Sequence, residues 1–221
     1  MAHKRVAILI SGRGSNMGAL IEAASTRGYP AEIVLVVSNR AEAPGLKLAK
    51  SKSIATATVD HLAYKSREEF EAELAKQLAS AKTEIICLAG FMRILTTGFV
   101  KQWQGRLLNI HPSLLPAFKG IDTHIRALDA GAKVHGCSVH FVVPELDSGP
   151  IVMQAAVPVL EGDDEEELAM RVLAAEHRIY PEALRLLAEG KLTIEGERVV
   201  VEGADGDPNR ALVSPQMFPG A

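Results

Sequence analysis

Short apolar runs that alternate with helical stretches limit this chain to a narrow set of folds. The runs at residues 6–10, 33–37 and 85–89 are apolar throughout, as in strands that are buried on both faces of a parallel sheet. Helical patterns occupy residues 17–24, before the second run, and residues 44–52, after it. This alternation predicts an α/β fold, a Rossmann-like doubly wound, mostly parallel sheet with helices on both faces.

A third helix is marked by both its start signal and its apolar stripe. Ser66 and Glu69 form a capping-box pattern, which predicts a helix that begins just after Ser66. Phe70, Leu74 and Leu78 follow at a spacing of four, so they share one face of this helix. We expect that stripe to pack into the core.

The C-terminal half predicts a different continuation of the sheet. Residues 137–143 alternate between apolar and polar side chains, which indicates a strand with one polar face that carries His140. Residues 151–159 predict another strand. An acidic start at residues 163–167 opens a helix that reaches about residue 187, since acidic side chains favour the first turn. Residues 191–201 then predict a small hairpin.

The chain shows no internal repeat and no linker between domains. We expect one domain over residues 1–202, and a flexible tail over residues 203–221, which are rich in Gly, Pro, Asp and Asn. The first apolar run, residues 6–10, is shorter than the roughly 7–15 residues of a signal sequence or the roughly 20 residues of a membrane span. A cytoplasmic location without a membrane partner is therefore expected.

The net charge and the cysteine count argue against nucleic-acid binding, a disulfide framework and a metal site. The net charge of -3 gives no electrostatic reason to expect a nucleic-acid partner. Cys87 and Cys137 are too few for a disulfide framework and lack metal-ligand spacing, so we expect two buried thiols. His135 and His140 are an odd number apart and would point to opposite faces of a strand, which argues against a zinc pair. No metal is expected.

A Gly-rich turn follows the first apolar run. It reads Ser-Gly-Arg-Gly-Ser-Asn at residues 11–16 and leads into a helix, with Ser15 or Asn16 as the expected N-cap. Such a turn exposes N–H groups at the positive end of a helix and can bind an anion. Met17 stands where a dinucleotide fingerprint needs Gly, so one phosphate fits better than a pyrophosphate. A tight turn without a ligand remains the alternative.

A polar pair ends the next apolar run. Asn109 and His111 are two residues apart in a short strand and therefore project from one face, while Pro112 makes the chain leave the sheet. An amide can stabilise a developing oxyanion, and an imidazole can move a proton near neutral pH. The alternative is a strand end with a polar cap and a surface histidine.

Three candidate sites lie at the carboxyl ends of predicted strands, where doubly wound sheets bind ligands. They are residues 11–16, residues 90–95, and Asn109 with His111. The apolar side chains of residues 91–95 either cover the sheet edge or line a pocket. Asp147, in a Pro-bounded turn, is either an ordinary turn residue or a carboxylate that orients an imidazole.

The reactive side chains favour direct transfer over covalent catalysis. The sequence has no G-x-S-x-G elbow and no serine or cysteine with an adjacent base, so covalent acyl transfer has no obvious nucleophile. Asn109, His111 and Asp147 instead suit acyl transfer between two bound substrates, through a tetrahedral intermediate whose oxyanion Asn109 and protonated His111 stabilise.

Four ordered motifs carry a family resemblance. Residues 109–116 read Asn-Ile-His-Pro-Ser-Leu-Leu-Pro and resemble the signature of the folate-dependent formyltransferases. Residues 11–16, residues 88–95 (Leu-Ala-Gly-Phe-Met-Arg-Ile-Leu) and residues 145–150 (Glu-Leu-Asp-Ser-Gly-Pro) complete the set. Up to about residue 201, the chain is similar to the phosphoribosylglycinamide formyltransferase family of purine biosynthesis.

The resemblance implies an activity and a set of site residues. A formyl group would pass from 10-formyltetrahydrofolate, as co-substrate, to the amine of 5-phosphoribosylglycinamide. Asn109, His111 and Asp147 match catalytic positions, with His111 as proton donor. The positions that match the phosphoribosyl site are Gly14, Ser15, Asn16, Met17 and Glu176. The helical pattern alone would instead assign Glu176 to a solvent-exposed face. The positions that match folate contacts are Arg67, Met92, Arg93, Ile94, Leu95, Asn109, Val143, Pro144, Glu145, Leu146 and Asp147.

Two other functions remain open at this stage. A formyltetrahydrofolate hydrolase would share the Asn, His and Asp positions, and a non-catalytic nucleotide-binding module would share the fold. Residues 117–119 and 121–122 lie in a segment that varies among the relatives, so contacts there are not carried over. The sequence is compatible with a monomer or a homodimer.

Overall fold

A seven-stranded sheet forms the centre of the fold. The computed structural model describes residues 3–203 and residue 214. The strands of this sheet are β1 (Lys4–Ile10), β2 (Ala31–Ser38), β3 (Thr56–Thr58), β4 (Ile85–Leu88), β5 (Leu107–His111), β6 (Val134–Phe141) and β7 (Ile151–Pro158). Their order is β3-β2-β1-β4-β5-β6-β7. Pairs among the first five are parallel, whereas β6 is antiparallel to β5 and β7 is antiparallel to β6.

Helices cover both faces of the sheet, so the predicted fold class is confirmed. The helices are α1 (Ser15–Ala24), α2 (Pro44–Ser51), α3 (Arg67–Ser80), α4 (Thr97–Gln102), α5 (Thr123–Asp129) and α6 (Glu165–Ala188). One apolar cluster packs α1, α2 and α6 against one face. A second cluster packs α3 and α4 against the other. The predicted long C-terminal helix is therefore α6.

Strand β1 shows why the first apolar run has no polar alternation. Ile8 belongs to one apolar cluster and Leu9 to the other, and both are fully buried. Successive side chains of a strand point to opposite faces, so a sheet with helices on both faces excludes polar residues from its central strand. The predicted stripe on α3, residues Phe70, Leu74 and Leu78, is likewise confirmed as core.

Two predictions about helix starts are corrected. The expected N-cap at Ser15 or Asn16 is wrong, because Gly14 is the N-cap of α1 and has a left-handed backbone with φ 70°, which glycine adopts without strain. Ser66 caps α3 as predicted, since its Oγ accepts from the N–H of Glu69 at 3.2 Å. The reciprocal half of that box is missing, because the carboxylate of Glu69 accepts from Lys65 N instead.

The predicted strand with one polar face is β6, but this polar face is buried. All residues of β6 after Val134 are buried, because the chain that follows β5 covers this face. Ser138 finds its partners there, donating to Ser113 O at 2.7 Å and accepting from Leu115 N at 3.0 Å. Internal pairing of this kind is what allows a polar side chain to be buried.

The C-terminal hairpin is confirmed. Strand β8 (Leu192–Glu195) pairs antiparallel with β9 (Arg198–Val201). The predicted tail over residues 203–221 lies outside the described residues, except for Gly203 and Ser214. The two cysteines are buried and free, as expected, and burial raises the pKa of each thiol to about 12.

Candidate active site

The three sequence-predicted sites meet on one rim of the sheet. Strand β4 lies between β1 and β5, and the last residue of β4, Leu88, is in register with Asn109 of β5. The Gly-rich turn after β1 contacts the segment after β4 directly, since Ser11 N donates to Gly90 O at 3.1 Å. Parallel pairing therefore brings the three sites together.

The Gly-rich turn borders a small cavity at the start of α1. The cavity has a volume of about 180 Å³ and is lined by Gly12, Arg13, Gly14, Ser15, Asn16, Ala89 and Gly90. No side chain caps α1, so its first-turn N–H groups are available to an anion. The side chain of Met17 is fully buried in the core. Met17 is not among the residues that line this cavity.

Glu176 closes the same region from α6. Its side chain is buried, and its Oε2 accepts from Asn16 Nδ2 at 2.8 Å. Burial raises the pKa of Glu176, and the hydrogen bond from Asn16 acts in the opposite direction. The helical pattern, which assigns Glu176 to a solvent-exposed face, is therefore wrong for this residue. Among the described residues, the Oδ1 atom of Asn16 is buried and has no hydrogen-bond partner, which leaves an acceptor beside the cavity.

His111 lies between two oxygen acceptors. Its Nε2 is 3.0 Å from Phe118 O, and because a carbonyl oxygen only accepts, Nε2 is the donor. Its Nδ1 lies 3.5 Å from Asp147 Oδ2, and both side chains are less than a tenth exposed. Only the doubly protonated imidazolium can donate toward both oxygens.

Asp147 is held by the loop that follows β5. Its backbone is left-handed with φ 47°, and its Oδ2 accepts from Gly120 N at 2.9 Å. Lys119 Nζ also donates to Ser148 Oγ at 2.7 Å. The loop and the turn between β6 and β7 are thus joined directly over the His111 side chain. Asp147 lies in a turn, as one sequence interpretation has it, and its carboxylate also contacts the covering loop and faces His111.

A second histidine, His140 on β6, supports Asn109. His140 Nδ1 is 2.9 Å from Phe141 O and therefore donates to it. Its Nε2 then carries a lone pair and accepts from Asn109 Nδ2 at 3.2 Å. Burial lowers the pKa of His140, which keeps the ring neutral and Nε2 an acceptor. The Asn109 amide is consequently fixed in one orientation.

The segment after β4 divides between core and surface. Leu95 and Phe91 are buried in the second apolar cluster, whereas Met92 and Ile94 are 64% and 63% exposed. The interpretation that these side chains cover the sheet thus holds for Phe91 and Leu95, and the pocket interpretation stays a prediction for Met92 and Ile94. Alternate residues anchor the segment and leave Met92 and Ile94 on the rim. Arg93 is half-buried.

The remaining candidate residues lie around this segment and the turn before β7. Arg67 is the first residue of α3 and is exposed, and one turn later Phe70 stacks on Phe91 with ring centroids 6.5 Å apart. Arg67 therefore belongs to the side of the rim that carries Met92. Val143 is half-buried, and Pro144, Glu145 and Leu146 are exposed.

The described residues contain no group of three or more His, Cys, Asp or Glu side chains arranged to hold a metal ion. Within the same residues, no helix is both long enough and apolar enough to cross a membrane.

Comparison with known families decides the classification. Residues 4–184 match the family described as formyl transferase, which is most of the chain. The chain belongs to the formyl transferase family. Phosphoribosylglycinamide formyltransferase from Escherichia coli strain K12 is 44% identical over 91% of this chain and 99% of the bacterial protein.

Solved structures give the same grouping for this formyl transferase family member. Glycinamide ribonucleotide transformylase 1 from Symbiobacterium toebii has a TM-score of 0.88 at 48% identity, over 90% of this chain and 94% of that chain. A formyltetrahydrofolate deformylase from Pseudomonas syringae pv. tomato str. DC3000 has a TM-score of 0.83 at 26% identity, over 90% of this chain and 66% of that chain.

The chain also matches a small part of much longer relatives. The trifunctional purine biosynthetic protein adenosine-3 of Drosophila pseudoobscura pseudoobscura is 53% identical over 86% of this chain, yet the match covers only 14% of the insect protein. In the corresponding chicken protein it covers 19%.

Sequence reasoning missed the role of His140 in this family member. The alternating pattern of β6 put His140 on a polar face, and a polar face predicts exposure. The useful signal was the register, because His140 pairs with Asn109 across β5 and β6. That antiparallel pairing cannot be read from either strand alone.

Proposed function

We propose that this chain transfers the formyl group of 10-formyltetrahydrofolate to the amine of 5-phosphoribosylglycinamide, in de novo purine (IMP) biosynthesis. The observation that carries the proposal is the convergence of Asn109, His111 and Asp147 on one rim, with His111 Nδ1 3.5 Å from Asp147 Oδ2. The names of the bacterial relatives that the chain matches over most of their length support the same reaction.

Each of the three side chains has a separate role in this proposal. The Asn109 amide, oriented by His140, donates a hydrogen bond to the formyl oxygen as that oxygen becomes negative. His111 is the proton donor, and the Asp147 carboxylate stabilises its protonated form. Transfer through a tetrahedral intermediate needs both contributions.

The proton balance explains why one shuttle suffices. The attacking amine of phosphoribosylglycinamide loses a proton when its bond to the formyl carbon forms. The leaving nitrogen of the folate must gain a proton when its bond to that carbon breaks. Protonated His111, whose ring nitrogens face Phe118 O and Asp147 Oδ2, gives a proton to the leaving nitrogen, and the proton that the amine loses restores it.

The phosphoribosyl half of the site is proposed to lie at the start of α1. The N–H groups of Gly14, Ser15, Asn16 and Met17 would bind the phosphate, which suits an uncapped helix start. Glu176, buried and bonded to Asn16, would accept hydrogen bonds from the ribose hydroxyls. A monophosphate fits this cavity of about 180 Å³.

The folate half is proposed to lie on the other side of the formyl-transfer centre. Exposed Met92 and Ile94 offer apolar surface to the pterin and its linker. The full set of proposed folate contacts is Arg67, Met92, Arg93, Ile94, Leu95, Asn109, Val143, Pro144, Glu145, Leu146 and Asp147.

A single assay separates the proposal from its two rivals. The protein is mixed with a 10-formyl folate, with and without phosphoribosylglycinamide, and deformylated folate is followed by absorbance. Release only when both substrates are present supports transfer. Release without the amine substrate would instead identify a hydrolase, as the similarity to the Pseudomonas deformylase allows. No release in either mixture would indicate a binding module.

The proposed catalytic unit comprises residues 1–202, with residues 203–221 as a tail; the family match ends at residue 184. We also propose a cytoplasmic location and action as a monomer or homodimer. Sedimentation of the full chain and of a chain ending at residue 202 tests the proposed oligomeric state, and the transfer assay on both chains tests the proposed bounds of the catalytic unit. Equal transfer by both chains would assign the tail no catalytic part.

A further inference from the structure

The Ser11 hydroxyl connects the two halves of the proposed site. Ser11 ends the run from β1 into the Gly-rich turn and is buried. Its Oγ accepts from the backbone N–H of Met92 at 2.8 Å and donates to Asn39 Oδ1 at 2.6 Å. One hydroxyl thus joins the phosphate-side turn, the folate-side segment and the end of β2.

Asn39 also contacts His61. It follows the last residue of β2 and is 2% exposed. His61 Nδ1 lies 3.2 Å from Asn39 Nδ2 and 3.1 Å from Asn39 O. Either tautomer of His61 therefore makes one hydrogen bond with Asn39. The tautomer with a lone pair on Nδ1 accepts from Asn39 Nδ2 and so orients the amide whose Oδ1 faces Ser11, and the other tautomer holds the Asn39 backbone.

Backbone contacts join the two segments just before Met92. Ala89 N donates to Leu9 O at 2.9 Å, and Ser11 N donates to Gly90 O at 3.1 Å. The hydroxyl bond to Met92 N extends this attachment by two residues. It is the contact that reaches the exposed part of the segment. Met92 is also the first exposed apolar side chain of that segment.

We propose that Ser11 and Asn39 act as a positioning pair that fixes the folate segment against the phosphoribosyl turn. This inference rests on the proposed function, since it concerns the distance between two bound substrates. Transfer requires the amine and the formyl carbon to be held close together and aligned, and misplacement by about 1 Å can cost a hundredfold in rate. Neither residue contacts a reacting atom.

The test compares Ser11→Ala and Asn39→Ala with the matched control Ser38→Ala. Ser38 is the buried last residue of β2, and its Oγ accepts from Arg40 N at 3.0 Å rather than bonding to Ser11 or Met92. We expect kcat at saturating substrates to fall about thirtyfold in the two test variants. The dissociation constants of phosphoribosylglycinamide and tetrahydrofolate, each titrated alone by calorimetry, should rise no more than about threefold. Ser38→Ala should retain the wild-type kcat.

A readout that does not depend on turnover accompanies the kinetics. Amide hydrogen exchange at Met92 should become at least about tenfold faster in Ser11→Ala and Asn39→Ala, because this N–H loses its acceptor or the support of that acceptor. Exchange there should be unchanged in Ser38→Ala. If the wild type fails to transfer formyl while the exchange pattern holds, the proposed function fails and the pairing stands.

The double variant decides whether the two residues act as one unit. In Ser11→Ala/Asn39→Ala, kcat should be no more than about threefold lower than in Ser11→Ala alone. Multiplicative effects would mean that the residues act separately and would overturn the pair. A kcat within about twofold of wild type in both single variants would overturn the positioning role, and if Ser11→Ala does not fold, Asn39→Ala alone decides it.

Discussion

His111 Nδ1 lies 3.5 Å from Asp147 Oδ2, although the two residues belong to different parts of the fold. His111 ends β5, whereas Asp147 lies in the turn between β6 and β7. The antiparallel register of β5 and β6 sets the first half of this approach, and the left-handed backbone of Asp147 sets the second. Gly120 N then holds the carboxylate from the covering loop.

Replacing Asp147 by Asn should slow transfer about a hundredfold or more, because the proton donor His111 loses its negative partner. Folate binding should be retained, since the side chain keeps its size. The pH dependence of transfer should also shift. Steady-state kinetics across pH, together with calorimetric titration of tetrahydrofolate, measures these effects.

The matched control for this variant is Asp129→Asn, an exposed acidic residue at the end of α5. It removes the same charge away from His111 and should leave the rate unchanged. A pH profile of Asp147→Asn that coincides with that of the wild type would remove Asp147 from the proposed catalytic role.

Replacing Ser15 by Asp should weaken phosphoribosylglycinamide binding at least about tenfold. The new carboxylate would stand at the first residue of α1, beside the proposed phosphate, where like charges repel. Ser25→Asp, at the exposed C-cap of the same helix, adds the same charge without facing the cavity. Calorimetric titration of both variants measures the difference, and equal affinities would place the phosphate elsewhere.

Replacing His140 by Phe should lower kcat about tenfold or more while leaving the KM for folate nearly unchanged. The ring size is similar, but Asn109 Nδ2 loses the acceptor that orients it. His140→Gln offers an amide oxygen to Asn109 and should recover part of the rate. Steady-state kinetics of the wild type, His140→Phe and His140→Gln measure kcat and KM. Full activity in His140→Phe would show that Asn109 needs no such support.

Stability should fall as the pH drops through the range of the buried histidines. Burial lowers the pKa of His135 from 6.5 to about 4, and the ring is almost fully buried. Its contribution is therefore complete above pH 6.5 and is lost as the pH falls towards about 4, because the unfolded chain binds a proton that the folded chain does not.

A variant isolates this contribution. In His135→Gln the side chain no longer titrates, so the loss of unfolding free energy between about pH 7.5 and about pH 5 should be smaller by about 2 kcal/mol than in the wild type. Urea unfolding at the two pH values measures it. An identical loss in both proteins would assign the pH dependence to other groups.

Much of the site could be read from strand ends alone. Asn109 and His111 face one side because strand periodicity puts residues i and i+2 together. The Gly-rich turn after β1 indicated an anion site because glycine and a helix start expose N–H groups. These are local properties, and the structure brings the corresponding rim sites together as the parallel sheet predicts.

The burial of Glu176 could not be predicted from the pattern of its own helix. Its neighbours in α6 give it a mid-helix polar position, and that pattern normally indicates solvent. The packing of α6 beside α1 buries Glu176 against Asn16. No spacing within one helix reports which helix will lie against it, so the residue pattern alone could not predict the burial of Glu176.

The amino-acid sequence by itself determined the α/β alternation, the two-sided core and the polar residues at the strand ends, because each depends on the periodicity of a single element. Only the tertiary structure decided that His140 would orient Asn109, that Asp147 would approach His111, and that Ser11 would join two segments through Asn39. Those contacts depend on strand register, helix packing and loop closure, which are set by the whole chain at once.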